Sequence, residues 1–257
     1  MKISVIYEDE NILAVNKPAG IAVHPDGRTK EYTLSDWVAE NYPSIRGVGE
    51  PIKLTHGLPA AHGMAQVGHA RRQAGGEIPK HGIVHRLDRD TSGVMIIAKN
   101  QEAFLFFKKQ FQDRMVKKTY HAIVYGRVKE KKGVIDKPIG KSRSDFRQWS
   151  AEAGARGTLR EATTEYELLK STKDFSYLSL HPKTGRTHQI RVHLKAIGHP
   201  ILCDKLYASK RPCSGGLGRM ALHAFSISIN TPNSTHITIE APVPGDFEGA
   251  LAELGLS

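Results

Sequence analysis

His85-Arg86-Leu87-Asp88-Arg89-Asp90-Thr91-Ser92-Gly93 runs directly into Val94-Met95-Ile96-Ile97-Ala98-Lys99. The second stretch is a short apolar run with no polar interruption, which predicts a strand buried on both faces. The first places Asp88 and Asp90 among Arg86 and Arg89. A charged loop feeding a rigid strand is a good place to fix a reactive group. A carboxylate such as Asp88 serves as nucleophile or base, and a nearby guanidinium keeps it ionised and oriented. The plainer alternative is a charged turn whose Asp, Thr and Ser side chains satisfy local backbone groups. This segment alone does not choose between them.

Outward from that strand the pattern is mostly strands. Ile3–Glu8 and Ile12–Val15, joined by Asp9-Glu10-Asn11, predict a hairpin. Strands are also predicted at Lys118–Gly126, Gly133–Ile139, Glu161–Leu169, Ser176–Leu180, Ala221–Ile229 and Thr235–Ile239. Helical spacing covers Thr33–Tyr42, with Thr33 or Ser35 as cap, Gln101–Met115, and Thr187–Ile197 between Gly185 and Gly198. In the second helix Phe104, Phe107, Phe111 and Met115 share one face, which reads as core packing. Lys141–Leu159 is polar and basic and reads as an exposed loop. No βαβ rhythm and no internal repeat occur. The expected class is therefore α+β with a mostly antiparallel sheet.

A second cluster is Lys183-Thr184-Gly185-Arg186-Thr187-His188-Gln189-Ile190-Arg191. On a helix beginning near Thr187, Ile190 and Leu194 pack inward while Arg191 points to an anion. The alternative is a basic solvated helix with an ordinary cap. The 257 residues carry 37 Lys and Arg against 26 Asp and Glu, a net charge of +11. That imbalance points to a polyanionic partner, nucleic acid before an anionic membrane surface. No apolar run is long enough for a membrane helix, and acidic residues come too early for a signal peptide. Cys203 and Cys213 are too few for a disulfide scaffold or a four-Cys zinc site, and a reducing cytoplasm is the simple reading. The histidines at 56, 62, 69, 81 and 85 match no common metal-ligand spacing. No Gly-x-Ser-x-Gly elbow and no Walker A loop is present.

Taken in order, the clusters resemble pseudouridine synthases of the RluA type. Asn16-Lys17-Pro18-Ala19-Gly20 resembles the family's N-terminal Lys-Pro motif, and Gly82–Gly93 its catalytic loop. Lys117-Lys118-Thr119-Tyr120 is similar to its Lys-x-Tyr strand start, and Thr184–His193 to its third motif. Gly198-His199-Pro200-Ile201-Leu202 and Asp204-Lys205-Leu206-Tyr207 follow at the familiar distance.

The resemblance implies a mixed, mainly antiparallel bent sheet flanked by helices around a central basic cleft, with no metal and no organic cofactor. It implies that Asp88 is the catalytic aspartate, Tyr120 the active-site tyrosine and Arg191 the ion-pair partner of Asp88. Arg86 enters the RNA stack where the target uridine leaves. Arg186 and His188 contact the RNA, and Lys17 contacts RNA or shapes the cleft floor. The reaction cuts the uracil N1–C1′ bond, turns the base and joins C5 to C1′. Tyr120 stacks on the base and, as a phenolate, would remove the C5 proton, a role that needs positive charge nearby. Large-subunit ribosomal RNA is favoured over tRNA as substrate. The expected organisation is one catalytic domain over 1–257, monomeric and cytoplasmic, with a loop insertion at 49–80 and no separate N-terminal RNA-binding domain. Cys203 stands where the family has Gly and reads as a tolerated small residue. Two rival readings are a non-catalytic RNA-binding module using the same cleft and a carboxylate-based hydrolase of another anionic polymer.

Overall fold

The computed structural model describes residues 3–25, 31–53, 77–152 and 155–257. β1 (Ser4–Glu8) and β2 (Ile12–Lys17) form the expected hairpin. Its turn closes because the Asp9 carboxylate accepts from the Asn11 and Ile12 amides, each at 2.7 Å. α1 (Leu34–Asn41) is capped by Thr33, whose hydroxyl accepts from the Asp36 amide while the Asp36 carboxylate accepts from the Thr33 amide. β3 (Ile52–Lys53) pairs antiparallel with β4 (Glu77–Ile78). The interior of the 49–80 insertion, with His56, His62, His69 and Arg71-Arg72, lies outside the described residues.

β5 (Ser92–Ala98) is buried at every position, as its unbroken apolar sequence requires. α2 (Gln101–Gln112) buries Phe104 and Phe107. Met115 is instead exposed, because the helix stops at Gln112 and Arg114 turns left-handed at φ 59°. There follow β6 (Lys117–Tyr125), β7 (Lys132–Asp136), β8 (Ile139–Lys141), β9 (Trp149–Ser150), β10 (Arg156–Arg160), β11 (Thr163–Ser171) and β12 (Phe175–Pro182). Then come α3 (Gln189–Ala196), β13 (Leu222–Asn230), β14 (His236–Glu240) and α4 (Gly245–Glu253). The sequence pattern did not point to α4.

The main sheet has the order β1-β2-β5-β13-β6-β12-β11-β7, with β14 also on β13. Its pairings are antiparallel except β5 with β13, which is parallel and only two residues long, Ser92 opposite His223 and Gly93 opposite Ala224. The class is thus mixed α+β, mainly antiparallel. The short parallel seam joins two halves with separate cores. One core gathers β1, β2, β5, α1 and α2, and the other gathers β6, β12, α3 and α4. Tyr120 packs against both. At the seam Gly93 has φ +120°, and a Cβ there would stand 2.1 Å from the Ala224 carbonyl oxygen. Only glycine lets the halves approach this closely.

Two expectations need correction. Residues 141–159 are not simply a loop, since β8, β9 and β10 form a three-stranded sheet of order β10-β8-β9. Ile139 is buried with Ala162, Val192 and Tyr207, and Trp149 packs on this cluster. Long-range packing on α3 holds strands that local apolar alternation does not announce. Cys203 and Cys213 are joined in a disulfide, Cα atoms 4.7 Å apart. The chain doubles back between them through turns in which Ala208 N–H bonds the Asp204 carbonyl and Arg211 N–H the Ala208 carbonyl. Cys203 is therefore half of a cross-link, and not simply a small residue standing for glycine.

Candidate active site

The loop before β5 is fixed from several sides. The His85 imidazole accepts from the Ile96 amide at 2.9 Å through Nε2 and stacks on Phe111 at 4.7 Å. Burial pushes its pKa down to about 3, which keeps the ring neutral and able to accept. Leu87 is buried beside Asp88. The Arg89 carbonyl accepts from the Gly20 amide at 2.9 Å and from Lys17 Nζ at 3.0 Å. Lys17 is fully buried, and its ammonium also donates to the Pro18 and Ile21 carbonyls, each at 2.9 Å. All three of its protons are thereby used. Lys17, expected to contact RNA or to shape the cleft floor, has its ammonium turned inward, where it braces the loop. Burial pulls its pKa down to about 7, against the opposing pull of Asp90 and Asp88.

From the other half of the molecule, α3 brings Arg191 to the loop. Its Nη1 donates to Asp88 Oδ2 at 2.9 Å. Nε and Nη2 form a fork on Asp204, at 2.7 and 2.9 Å. Asp204 is buried and also accepts from the Leu206 and Tyr207 amides at 2.9 and 3.0 Å. Burial works against the Arg191 charge, but the Asp204 and Asp88 carboxylates outweigh it and raise its pKa above the ordinary guanidinium value. Arg191 also lies over the Tyr207 ring, 4.9 Å from its centre.

His188 stands at the start of α3 with φ 56°, a left-handed conformation uncommon for a residue with a side chain. Its Nδ1 is 2.9 Å from the Tyr207 hydroxyl and its Nε2 is 3.9 Å from Asp88 Oδ1. The Tyr207 hydroxyl already accepts from the Trp149 amide at 2.9 Å. Its own proton is then free for His188 Nδ1, which leaves the imidazole N–H on Nε2, facing Asp88. Burial, more than the neighbouring charges, lowers the His188 pKa and favours this neutral form.

These groups line a cleft of about 470 Å³. Arg86, Arg114, Lys118, Lys183, Arg186 and Arg191 face it, and Asp88 is the one carboxylate among the lining residues. Gln189 shapes the far wall: its Oε1 accepts from the Thr184 hydroxyl at 2.7 Å and the Arg186 amide at 2.9 Å. Arg186 Nε is anchored on the Glu161 carbonyl at 3.0 Å. Arg86 is exposed at the rim. Among the described residues, no group of three His, Cys, Asp or Glu side chains is assembled to hold a metal ion.

The RNA pseudouridylate synthase family profile matches residues 11–196, which include the Asp88 loop and Arg191. The chain belongs to that family. It is 34% identical over 253 residues to an uncharacterised RNA pseudouridine synthase of Synechocystis, covering 98% of this chain and 69% of the relative. It is 32% identical over 256 residues to the ribosomal large subunit pseudouridine synthase D of Nitrosomonas europaea, covering 97% of this chain and 64% of that protein. Among solved structures, the human RNA pseudouridylate synthase domain containing 1 protein superposes with a TM-score of 0.69 at 25% identity. That match covers 95% of this chain and 84% of the other. The chain is thus a pseudouridine synthase, an RNA isomerase.

In this synthase cleft, six of the seven residues singled out from the sequence share one wall or rim, and Lys17 stands behind it. Tyr120 faces Asp88, and burial, then the Asp88 carboxylate, push its phenol pKa up. The free cleft therefore holds a neutral phenol. The Asp204-Lys205-Leu206-Tyr207 stretch carries the family resemblance, but nothing in its sequence marks Asp204 as a site residue. Lys118 was missed too. It lines the cleft two residues before Tyr120, where strand alternation puts both side chains on one face. No described helix is long and apolar enough to cross a membrane.

Proposed function

We propose that this cleft converts a specific uridine of folded RNA to pseudouridine, with large-subunit ribosomal RNA as substrate before tRNA and Asp88 as the catalytic group. The observation that carries the reading is a lone cleft carboxylate, ion-paired to a buried guanidinium, among cationic side chains. The name of the Nitrosomonas relative supports the choice of RNA.

In this reading the target base leaves its stack and enters the cleft, at a cost of roughly a few kcal/mol. Arg86, exposed at the rim, fills the gap and stacks on neighbouring bases, offsetting part of that cost. Arg191 holds Asp88 aimed at the nucleoside. The carboxylate attacks C1′ or C6 of the uridine or acts as a base at the sugar. Each route breaks N1–C1′, keeps the uracil bound and closes C5–C1′, with the C5 proton leaving to solvent and N1 taking one up, so that the composition is unchanged. Tyr120 packs on the base as a neutral phenol. Arg186 and His188 meet the flanking phosphate and ribose.

Carbodiimide-based pseudouridine mapping of total RNA from cells with and without the gene tests this. The expected result is loss of one or a few sites in large-subunit ribosomal RNA, restored by the wild-type gene. An unchanged map, with no conversion in vitro of RNA from the deleted strain, would sink the reading.

A further inference from the structure

The small sheet β8–β10 leaves an unbalanced surface beside the cleft. β10 is exposed at all five residues and forms an edge of that sheet. Arg156 lies directly across from Lys141, so two cations face each other in one cross-strand pair. Like charges in that position destabilise a sheet, and here Lys141 lies over the Trp149 ring, 4.1 Å from its centre, while among the described residues Arg156 has no such partner. Arg160 ends the same strand, and Arg143 is exposed on the turn between β8 and β9. Among the described residues, none of these four cations has a carboxylate within 4.0 Å. On the same turn Phe146 is 83% exposed, with Arg147 beside it held by Asp145 at 2.7 Å. A bare aromatic among cations has the composition of a platform for unpaired bases.

The sheet is tied to the cleft. Trp149 N–H bonds the Tyr207 hydroxyl, which meets His188, which faces Asp88. Gln148 donates to the Leu206 carbonyl at 2.9 Å. Arg160 is followed by Glu161, whose carbonyl receives the cleft residue Arg186. The cationic line therefore continues from the cleft rim along β10, which bulges between Arg160, opposite Ile139, and Arg156, opposite Lys141.

We propose that this small sheet is an arm that grips a single-stranded segment of the RNA substrate outside the cleft. Lys141, Arg156 and Arg160 meet successive phosphates and Phe146 stacks on a base. The partner's identity rests on the isomerase reading, while the arm itself is a claim about affinity and not about chemistry.

The test compares two charge-matched triple variants of the full chain. The arm variant is Lys141→Ala, Arg156→Ala, Arg160→Ala. The control is Lys129→Ala, Lys131→Ala, Lys173→Ala, exposed lysines at the opposite ends of β6 and β12 from the cleft. The probes are a short fluorescein-labelled single-stranded RNA of mixed sequence and its duplex. The arm variant is expected to lower the slope of log affinity against log salt by about 2, where the control changes it little. Phe146→Ala is expected to weaken single-strand binding by about tenfold and duplex binding much less. In turnover on RNA from the deleted strain, KM should rise with kcat kept. Arm and control variants with equal affinity, or a fall in kcat at unchanged KM, would overturn the arm. A wild-type chain that neither binds nor converts RNA would instead sink the isomerase reading.

Discussion

Arg191 and Lys17 are two buried cations that hold the same loop from opposite halves of the molecule. Arg191 reaches Asp88 from the α3 side and is neutralised by two carboxylates. Lys17 reaches Arg89 from the β2 side and is met by three backbone carbonyls. A carbonyl carries only a partial charge, so burial wins at Lys17 and lowers its pKa to about 7, whereas the carboxylates win at Arg191 and raise it. The first contact sets the charge that the Asp88 carboxylate faces. The second sets only where the loop lies. The cleft thus separates electrostatics from geometry across the seam between its two cores.

The largest effect that separates the two roles is at the carboxylate itself. Asp88→Asn should lower pseudouridine formation on the order of 10³-fold or more while RNA affinity stays within a fewfold. Full turnover in this variant, read by release of tritium from C5-labelled uridine, would remove Asp88 from the chemistry. Next comes the far partner of Arg191. Asp204→Asn leaves a buried guanidinium half-paired, which should cost about 3 kcal/mol of stability. It should also lower kcat about 10- to 100-fold with little change in KM, since Asp88 loses its fixed orientation. Denaturant unfolding and single-turnover kinetics read the two effects separately. A fall in KM affinity alone would mean that Asp204 supports the RNA surface instead.

Lys17→Met should act more weakly on turnover, by about tenfold, through a looser loop. Its signature lies in pH. The folded chain releases the Lys17 proton near pH 7, whereas the unfolded chain keeps it to about 10.5, the ordinary lysine value. Between these limits the unfolded state binds more protons, so this group makes stability rise with pH, by about 1 kcal/mol per unit. The stability of wild type relative to Lys17→Met should therefore rise from pH 7 to pH 9 in urea titrations. A constant difference would show that Lys17 stays charged. The smallest effect on activity is expected at the disulfide next to Asp204. Cys213→Ser should cost about 2–3 kcal/mol from the loss of a ten-residue loop constraint. Turnover should stay within about twofold, because Asp204 is held by its own amide and guanidinium bonds. A tenfold loss would mean that the disulfide positions Arg191.

Much of this was legible in sequence because local periodicity records which side chains are apolar. The hairpin at Ser4–Lys17, the buried strand at Ser92–Ala98 and the face of α2 follow from that pattern. The Thr33 cap follows from side-chain chemistry within four residues. Asp88, Tyr120 and Arg191 came from ordered motifs, and the cleft brings them together. Other features depend on partners that no local pattern names. Asp88 and Arg191 lie 103 positions apart, and Lys17 meets Arg89 across 72. A lysine after a strand reads as a surface cation, and only the packed chain shows it enclosed by carbonyls. The three short strands at 139–160 carry too few apolar residues to announce themselves and exist by resting on α3 and Tyr207. The sequence by itself determined most of the main-sheet strands, the first three helices and the candidate groups, because these are written in the chemistry of neighbouring residues. Which charge each group faces, and which cation is withheld from RNA, was decided by the tertiary structure, because Coulomb energy and desolvation depend on distances and burial that arise only when remote segments meet.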